Sequence, residues 1–162
     1  GETEFAGEDV LLADLVNEAA DGLWPLAKER NITVNVVDKS DAPFVLAEPD
    51  SLSRAFSNLI DNAIKFSPDG ASVEINIERS EERLSVTVRD HGAGISPDLL
   101  PRLFSRFVSV DEQGGRVKGA GLGLVYVEAV MTRHQGTISA GNAPDGGAYF
   151  VATLPEAPEP SA

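Results

Sequence analysis

The run from Asp50 to Phe66 constrains the fold more than any other part of the chain. Its apolar residues, Leu52, Ala55, Phe56, Leu59, Ile60, Ala63, Ile64 and Phe66, recur at steps of three and four, the spacing of an amphipathic helix. Pro49 and Asp50 mark its start, and Pro68-Asp69-Gly70 ends it. A helix with so continuous an apolar face must lie on a second layer of structure. It also carries Asn58, Asn62 and Lys65 at steps of four and three, which sets two carboxamides and an ammonium on one stripe. Asn is a mediocre helix former, because its side chain competes for backbone hydrogen bonds. Two of them in consecutive turns suit either a solvated flank or a polar ligand.

The flanking sequence supplies the second layer. Val10 to Leu23 repeats at helical spacing and continues to Arg30, with a kink expected near Gly22–Pro25. Ile32, Val34 and Val36 alternate with polar residues as in a strand, and Phe44-Val45-Leu46-Ala47 is a second short one. Val73, Ile75 and Ile77, then Leu84, Val86 and Val88, alternate on either side of Glu81-Glu82, which reads as an antiparallel hairpin with one buried face. Gly121 to Arg133 reads as a third helix. Thr137–Ala140 and Tyr149–Leu154, joined through Gly141–Gly147, are the last two strands. The order implies an α+β sandwich of two layers, one mixed sheet with helices on one face. Residues 1–8 read as a lead-in, 9–155 as the domain and 156–162 as a low-complexity, disordered tail.

Two glycine-rich stretches stand beside the central helix. Asp90-His91-Gly92-Ala93-Gly94-Ile95 follows the second hairpin strand. A carboxylate there accepts a hydrogen bond either from a ligand's exocyclic amine or from its own turn. Gly119-Ala120-Gly121-Leu122-Gly123-Leu124 heads the third helix, where unhindered N–H groups and the helix dipole make a phosphate seat. The spacing is neither the dinucleotide fingerprint nor a P-loop. Leu103-Phe104-Ser105-Arg106-Phe107 offers apolar anchors around one Arg, and Ser109 to Lys118 reads as a loop with cations at Arg116 and Lys118, able to close over an anion. Composition narrows the ligand. A formal net charge of -13 argues against nucleic acid as the main partner. The absence of cysteine, with only two histidines, argues against a structural zinc site. No run of about eighteen apolar residues spans a membrane, and no secretory signal opens the sequence.

Taken together, these stretches resemble the catalytic ATP-binding domain of sensor histidine kinases, within the superfamily of gyrase, the 90-kDa heat-shock chaperone and mismatch-repair MutL. Asn58 to Pro68 resembles the N box, Asp90 to Ile95 the first glycine box, Leu103 to Phe107 the F box and Gly119 to Leu124 the second glycine box. Gly136-Thr137-Ile138 and Gly147 to Pro155 fit the closing hairpin, so the likeness runs from about Val10 to Pro155. It implies the Bergerat-type fold, a mixed five-stranded sheet with three helices on one face. It implies Mg²⁺ on the Asn62 amide oxygen, with Asn58 one turn earlier facing the same metal–phosphate region and Lys65 on phosphate. Asp90 would accept the adenine amine, beside Gly92 and Gly94, with Ile95 and Leu124 lining the base. Arg106, with Arg116 or Lys118, would meet the phosphates, and Gly119, Gly121, Leu122 and Gly123 would form the lid hinge and phosphate seat. Ala148 departs from the Thr or Ser usual there, which puts a hydroxyl in the adenine network in doubt.

The implied activity is that of a protein-histidine kinase, binding Mg-ATP and passing the γ-phosphate to a histidine on a separate dimerisation domain, with a response regulator receiver downstream. Hydrolytic relatives in the superfamily carry Glu where this chain has Asn58, and a carboxamide takes no proton near neutral pH. Transfer rather than hydrolysis is therefore expected, with Asn58 and Lys65 as the catalytic pair, a cytoplasmic location, and no contact by this domain with membrane or nucleic acid. The alternatives are a nucleotide-binding regulatory pseudokinase and an anti-sigma-factor-type serine kinase of the same superfamily.

Overall fold

The computed structural model describes residues 4–105 and 120–158, the side chains of 120–122 excepted. In chain order its elements are β1 (Glu8–Leu11), α1 (Leu12–Gly22), α2 (Trp24–Glu29), β2 (Thr33–Asp38), β3 (Phe44–Ala47), α3 (Pro49–Phe66), β4 (Ser72–Ser80), β5 (Arg83–Arg89), α4 (Ala120–Arg133), β6 (Thr137–Asn142) and β7 (Ala148–Pro155). A 3₁₀ turn covers Leu100–Arg102. Five strands form one mixed sheet in the order β2-β4-β5-β7-β6, with β2 parallel to β4 and the other pairs antiparallel. The expected α+β sandwich, a five-stranded sheet with three long helices, is what forms.

Period-two alternation decides which face of the sheet is covered. Val73, Ile75 and Ile77 on β4, Leu84, Val86 and Val88 on β5, and Ala148, Phe150, Ala152 and Leu154 on β7 are all buried to within 2% of complete. The polar residues between them lie on the other, wetter face. The antiparallel registers set Ile75, Val88 and Phe150 in one row across three strands. Against that surface α3 presents Leu52, Phe56, Leu59, Ile60 and Ile64, each buried to 1% or less. It lies between α1 and α4 and touches both.

Both ends of α3 are fastened from elsewhere in the chain. At its start, the Glu48 N–H donates to His134 Nε2 at 3.0 Å, and Arg133 Nε meets the Glu48 carboxylate at 2.6 Å. At its end, the Arg30 guanidinium donates to the carbonyls of Lys65 at 3.2 Å and Ser67 at 2.5 Å, and pairs with Asp69 at 2.6 Å. A cation on the last carbonyls satisfies orphan acceptors and complements the dipole.

Four details differ from the sequence reading. Val10 and Leu11, assigned to the first helix, belong to strand β1, because their backbone pairs with Val45 and Phe44 of β3. That pairing forms a separate two-stranded sheet, so β3 does not join the main one. The kink is a full break at Leu23, after which Pro25 sits in the first turn of α2, where its missing N–H costs nothing. Residues 156 and 157, given to the tail, are hydrogen-bonded instead: Glu156 N–H to the Glu82 carbonyl and Ala157 N–H to the Phe44 carbonyl, both at 2.8 Å.

Candidate functional site

The carboxamide stripe of α3 is graded in burial. Asn62 is 8% exposed, Asn58 is half-buried, and Lys65 is exposed. Asn58 Nδ2 reaches the Gly123 carbonyl in the first turns of α4 at 3.5 Å, so the stripe meets the glycine-rich helix head across a narrow gap. Asn62 Nδ2 is buried without a hydrogen-bond partner. An orphaned buried amide group is costly, and it points to a polar ligand rather than to the solvated flank. Lys65 is turned outward, 3.3 Å from Asp61 on the helix surface. The structure therefore brings Asn58 to α4, leaves the Asn62 Nδ2 buried one turn along the helix, and leaves Lys65 in an exposed ion pair.

Asp90 stands just past β5 and is 1% exposed. Its Oδ1 accepts the N–H groups of Gly92 and Ala148, each at 3.0 Å, and its own N–H donates to the Ala148 carbonyl at 2.9 Å. The Gly92 bond is the turn interaction expected of a lone Asp-x-Gly. The two readings of this motif are therefore compatible: the turn is what holds the carboxylate in place. Ala148 supplies a backbone N–H to the network that its missing hydroxyl had put in doubt.

The glycines of this loop serve the protein's own packing. A side chain at position 92 would overlap the Phe66 carbonyl at the end of α3, so Gly92 lets the loop lie on the helix. Gly94 adopts φ 86°, a conformation that L side chains rarely accept. At Gly92 the close approach is thus to α3. His91 binds the same helix end through its N–H, 3.2 Å from Ser67 Oγ, and its Nε2 lies 2.7 Å from Glu74. Burial resists ionisation of Glu74, yet hydrogen bonds from Ser72 and His91, with electrostatic attraction toward His91 and Arg89, hold its carboxyl below the ordinary 4.5.

Ile95 and Leu124 are each 3% exposed and belong to the continuous core. Leu103 is 1% exposed and belongs to the core, and Phe104 meets Phe150 of β7 edge-on at 6.4 Å. Arg106, Arg116, Lys118 and Gly119 lie outside the described residues; of Gly121 and Leu122 only the backbone, in the first turn of α4, is described. The sequence reading missed Ser67, Arg30 and Asn142. The last of these exchanges two hydrogen bonds with the Ile95 backbone, at 2.8 and 2.7 Å. Each is a common polar residue outside any periodic pattern, so only its long-range partner marks it.

Residues 47–158 match the family model described as histidine kinase-, DNA gyrase B- and HSP90-like ATPase. Sensor histidine kinase CusS of Escherichia coli K12 is 35% identical over 145 residues, which cover 89% of this chain and 30% of that protein. The chain thus spans under a third of the length of this curated relative. Full-length ShkA, in a crystal structure with AMPPNP, superposes with a TM-score of 0.85 at 28% identity, over 99% of this chain and 33% of that one. The nucleotide-free catalytic domain of histidine kinase ThkA superposes at 0.82, over 95% of this chain and 97% of that one; at 24% identity it speaks for the fold.

Proposed function

The chain belongs to the histidine kinase-, DNA gyrase B- and HSP90-like ATPase family, and from that membership we propose that it is the ATP-binding catalytic domain of a sensor histidine kinase. The observation that carries the reading is the meeting on α3 of two polar devices. A buried carboxylate, held by two backbone N–H groups, opens a loop that lies on the end of the helix, and a carboxamide whose buried Nδ2 has no partner lies one turn inside it.

ATP is the substrate. Asp90 accepts the adenine amine on its carboxylate, with Gly92, Gly94, Ile95 and Leu124 forming the seat of the base. Asn58, Asn62 and the head of α4 face the phosphates, and Arg106, Arg116, Lys118, Gly119, Gly121, Leu122 and Gly123 are assigned to the phosphate tail and lid by the resemblance. Lys65 reaches phosphate by leaving its exposed pair with Asp61, an exchange that costs little at a surface. Mg²⁺ fits the donor set. The N and O of an amide occupy interchangeable positions, so the orphaned end of Asn62 becomes an oxygen by a half-turn of its last bond, and neutral oxygen donors suit a hard cation. Asn62, with Asn58 beside it, would hold the ion, which when bound neutralises phosphate charge.

Chemistry follows from what position 58 lacks. Asn58 donates to the Gly123 carbonyl and holds no proton-accepting group, so no side chain there activates water. A neutral histidine from another domain brings its own lone pair: its ring nitrogen bonds the γ-phosphorus as the bond to the ADP oxygen breaks, and that electron pair leaves on ADP. The histidine-bearing dimerisation domain of the same parent, and a response regulator receiver downstream, are the partners this assigns. The cytoplasm supplies ATP and both of these partners, and among the described residues no helix is long and apolar enough to cross a membrane.

Calorimetry with a non-hydrolysable ATP analogue, with and without Mg²⁺, tests the binding step: one site per chain, tightened by the metal, is expected, and no heat in either condition removes the proposal. Acid-labile phosphate appearing on an added histidine-bearing domain tests the transfer; acid-stable phosphate would assign a serine kinase instead.

A further inference from the structure

The loop from Asp90 to Ile95 is fastened at both ends to one rung of the sheet. Asn142, the last residue of β6, stands opposite Ala148, the first of β7. Ala148 holds the start of the loop through both of its backbone groups, one on the Asp90 N–H at 2.9 Å and one on Asp90 Oδ1 at 3.0 Å. Asn142 holds the end: its Nδ2 donates to the Ile95 carbonyl at 2.7 Å, and its Oδ1 accepts the Ile95 N–H at 2.8 Å. The side chain thereby gives and takes one bond each, as the backbone of a neighbouring strand would. The same Oδ1 lies beneath Gly94, where a Cβ would approach it to 2.9 Å. Asp90 and Ile95, the two ends of the proposed adenine seat, are thus set against each other by a single pair of residues.

We propose that Asn142 is a positioning residue for nucleotide recognition, holding Ile95 in register with Asp90 so that the seat selects adenine. The inference rests on the ATP-binding reading. A primary carboxamide is needed, because the site asks for one donor and one acceptor on the same short side chain; a carboxylate offers acceptors alone, and alanine offers neither. Asn142 is itself solvent-exposed, so exchanging it leaves the hydrophobic core intact.

The test is calorimetric titration of the unaltered chain, Asn142→Ala and Asn142→Asp with ATP, ADP and GTP at fixed Mg²⁺, each protein first checked by thermal melting. Removing two partly exposed hydrogen bonds is expected to weaken ATP binding about three- to tenfold. ADP should weaken by the same factor, because the phosphates do not touch this clamp, and the preference for ATP over GTP should narrow. Asn142→Asp keeps the side-chain shape and should stay folded while showing the same loss, since it cannot donate to the Ile95 carbonyl. If the unaltered chain binds ATP and both variants keep its affinity and its ATP-to-GTP ratio, whatever their melting points, the clamp serves stability alone and the inference is overturned. A loss confined to the triphosphate overturns it too. No binding by the unaltered chain would instead strike at the functional reading itself.

Discussion

Asp90 shows how one residue carries both structure and recognition. Its Oδ1 is taken up by the N–H groups of Gly92 and Ala148, so truncation to alanine would remove a ligand acceptor and orphan two donors together. Asp90→Asn separates the two roles. An amide oxygen can still receive both backbone N–H groups, while the other position changes from an acceptor into a donor that repels an amine. The expectation is that Asp90→Asn, shown by its melting curve to be folded, binds ATP about 10- to 100-fold more weakly, the scale of a hydrogen bond to a charged group. Calorimetry alongside a melting curve checks it, and unchanged affinity would move the adenine site elsewhere. Asn62 makes the complementary point: its spacing on α3 is visible in the sequence, but its unpartnered burial is not.

At the scale of elements, the junction between α3 and α4 is held by charge. The hydrogen bond from Arg133, then that from the Ala6 N–H, lowers the Glu48 carboxyl from 4.5 to about 2, against a smaller opposing effect of burial. A group whose folded value is depressed stabilises the fold above its unfolded value and loses that contribution as pH falls through the folded one. Glu48→Gln should therefore melt lower than the unaltered chain above about pH 4.5, with the difference closing as the pH falls toward 2; melting curves across that range read it directly. The β4–β5 hairpin offers a gain instead. Glu81 and Glu82 bridge Ser80 and Arg83 with φ of 51° and 66°, both in the left-handed region where glutamate is strained. Asn-Gly is the pair such a two-residue turn prefers. Glu81→Asn with Glu82→Gly should raise stability by about 1 kcal/mol, measurable by denaturant titration.

For the molecule as a whole, the two sheets are tied together late in the chain. Past β7, Glu156 bonds the hairpin turn at Glu82 and pairs with Arg79 at 2.7 Å, while Ala157 bonds β3 at Phe44 and is 7% exposed. Removing residues 156–162 should cost about 1 to 3 kcal/mol, since two backbone bonds and an apolar contact go. A truncated chain that melts with the full one would show that the tie bears no weight.

What local spacing could encode, the sequence determined. The apolar period of α3, the alternation in β4, β5 and β7, and the stripe of Asn58 and Asn62 are all written within a few residues of themselves, because helix and strand periodicities are local. Tertiary structure decided whatever needed a partner far along the chain. Val10 and Leu11 suit helix or strand equally until β3 pairs with them. Ala148 reaches Asp90 across 58 positions, Asn142 reaches Ile95 across 47, and Arg30 reaches Lys65 across 35. Hydrogen bonds from a side chain to a distant backbone leave no period and no motif, since any exposed Asn or Arg looks the same in one dimension. Only closure of the sheet brings donor and acceptor within reach.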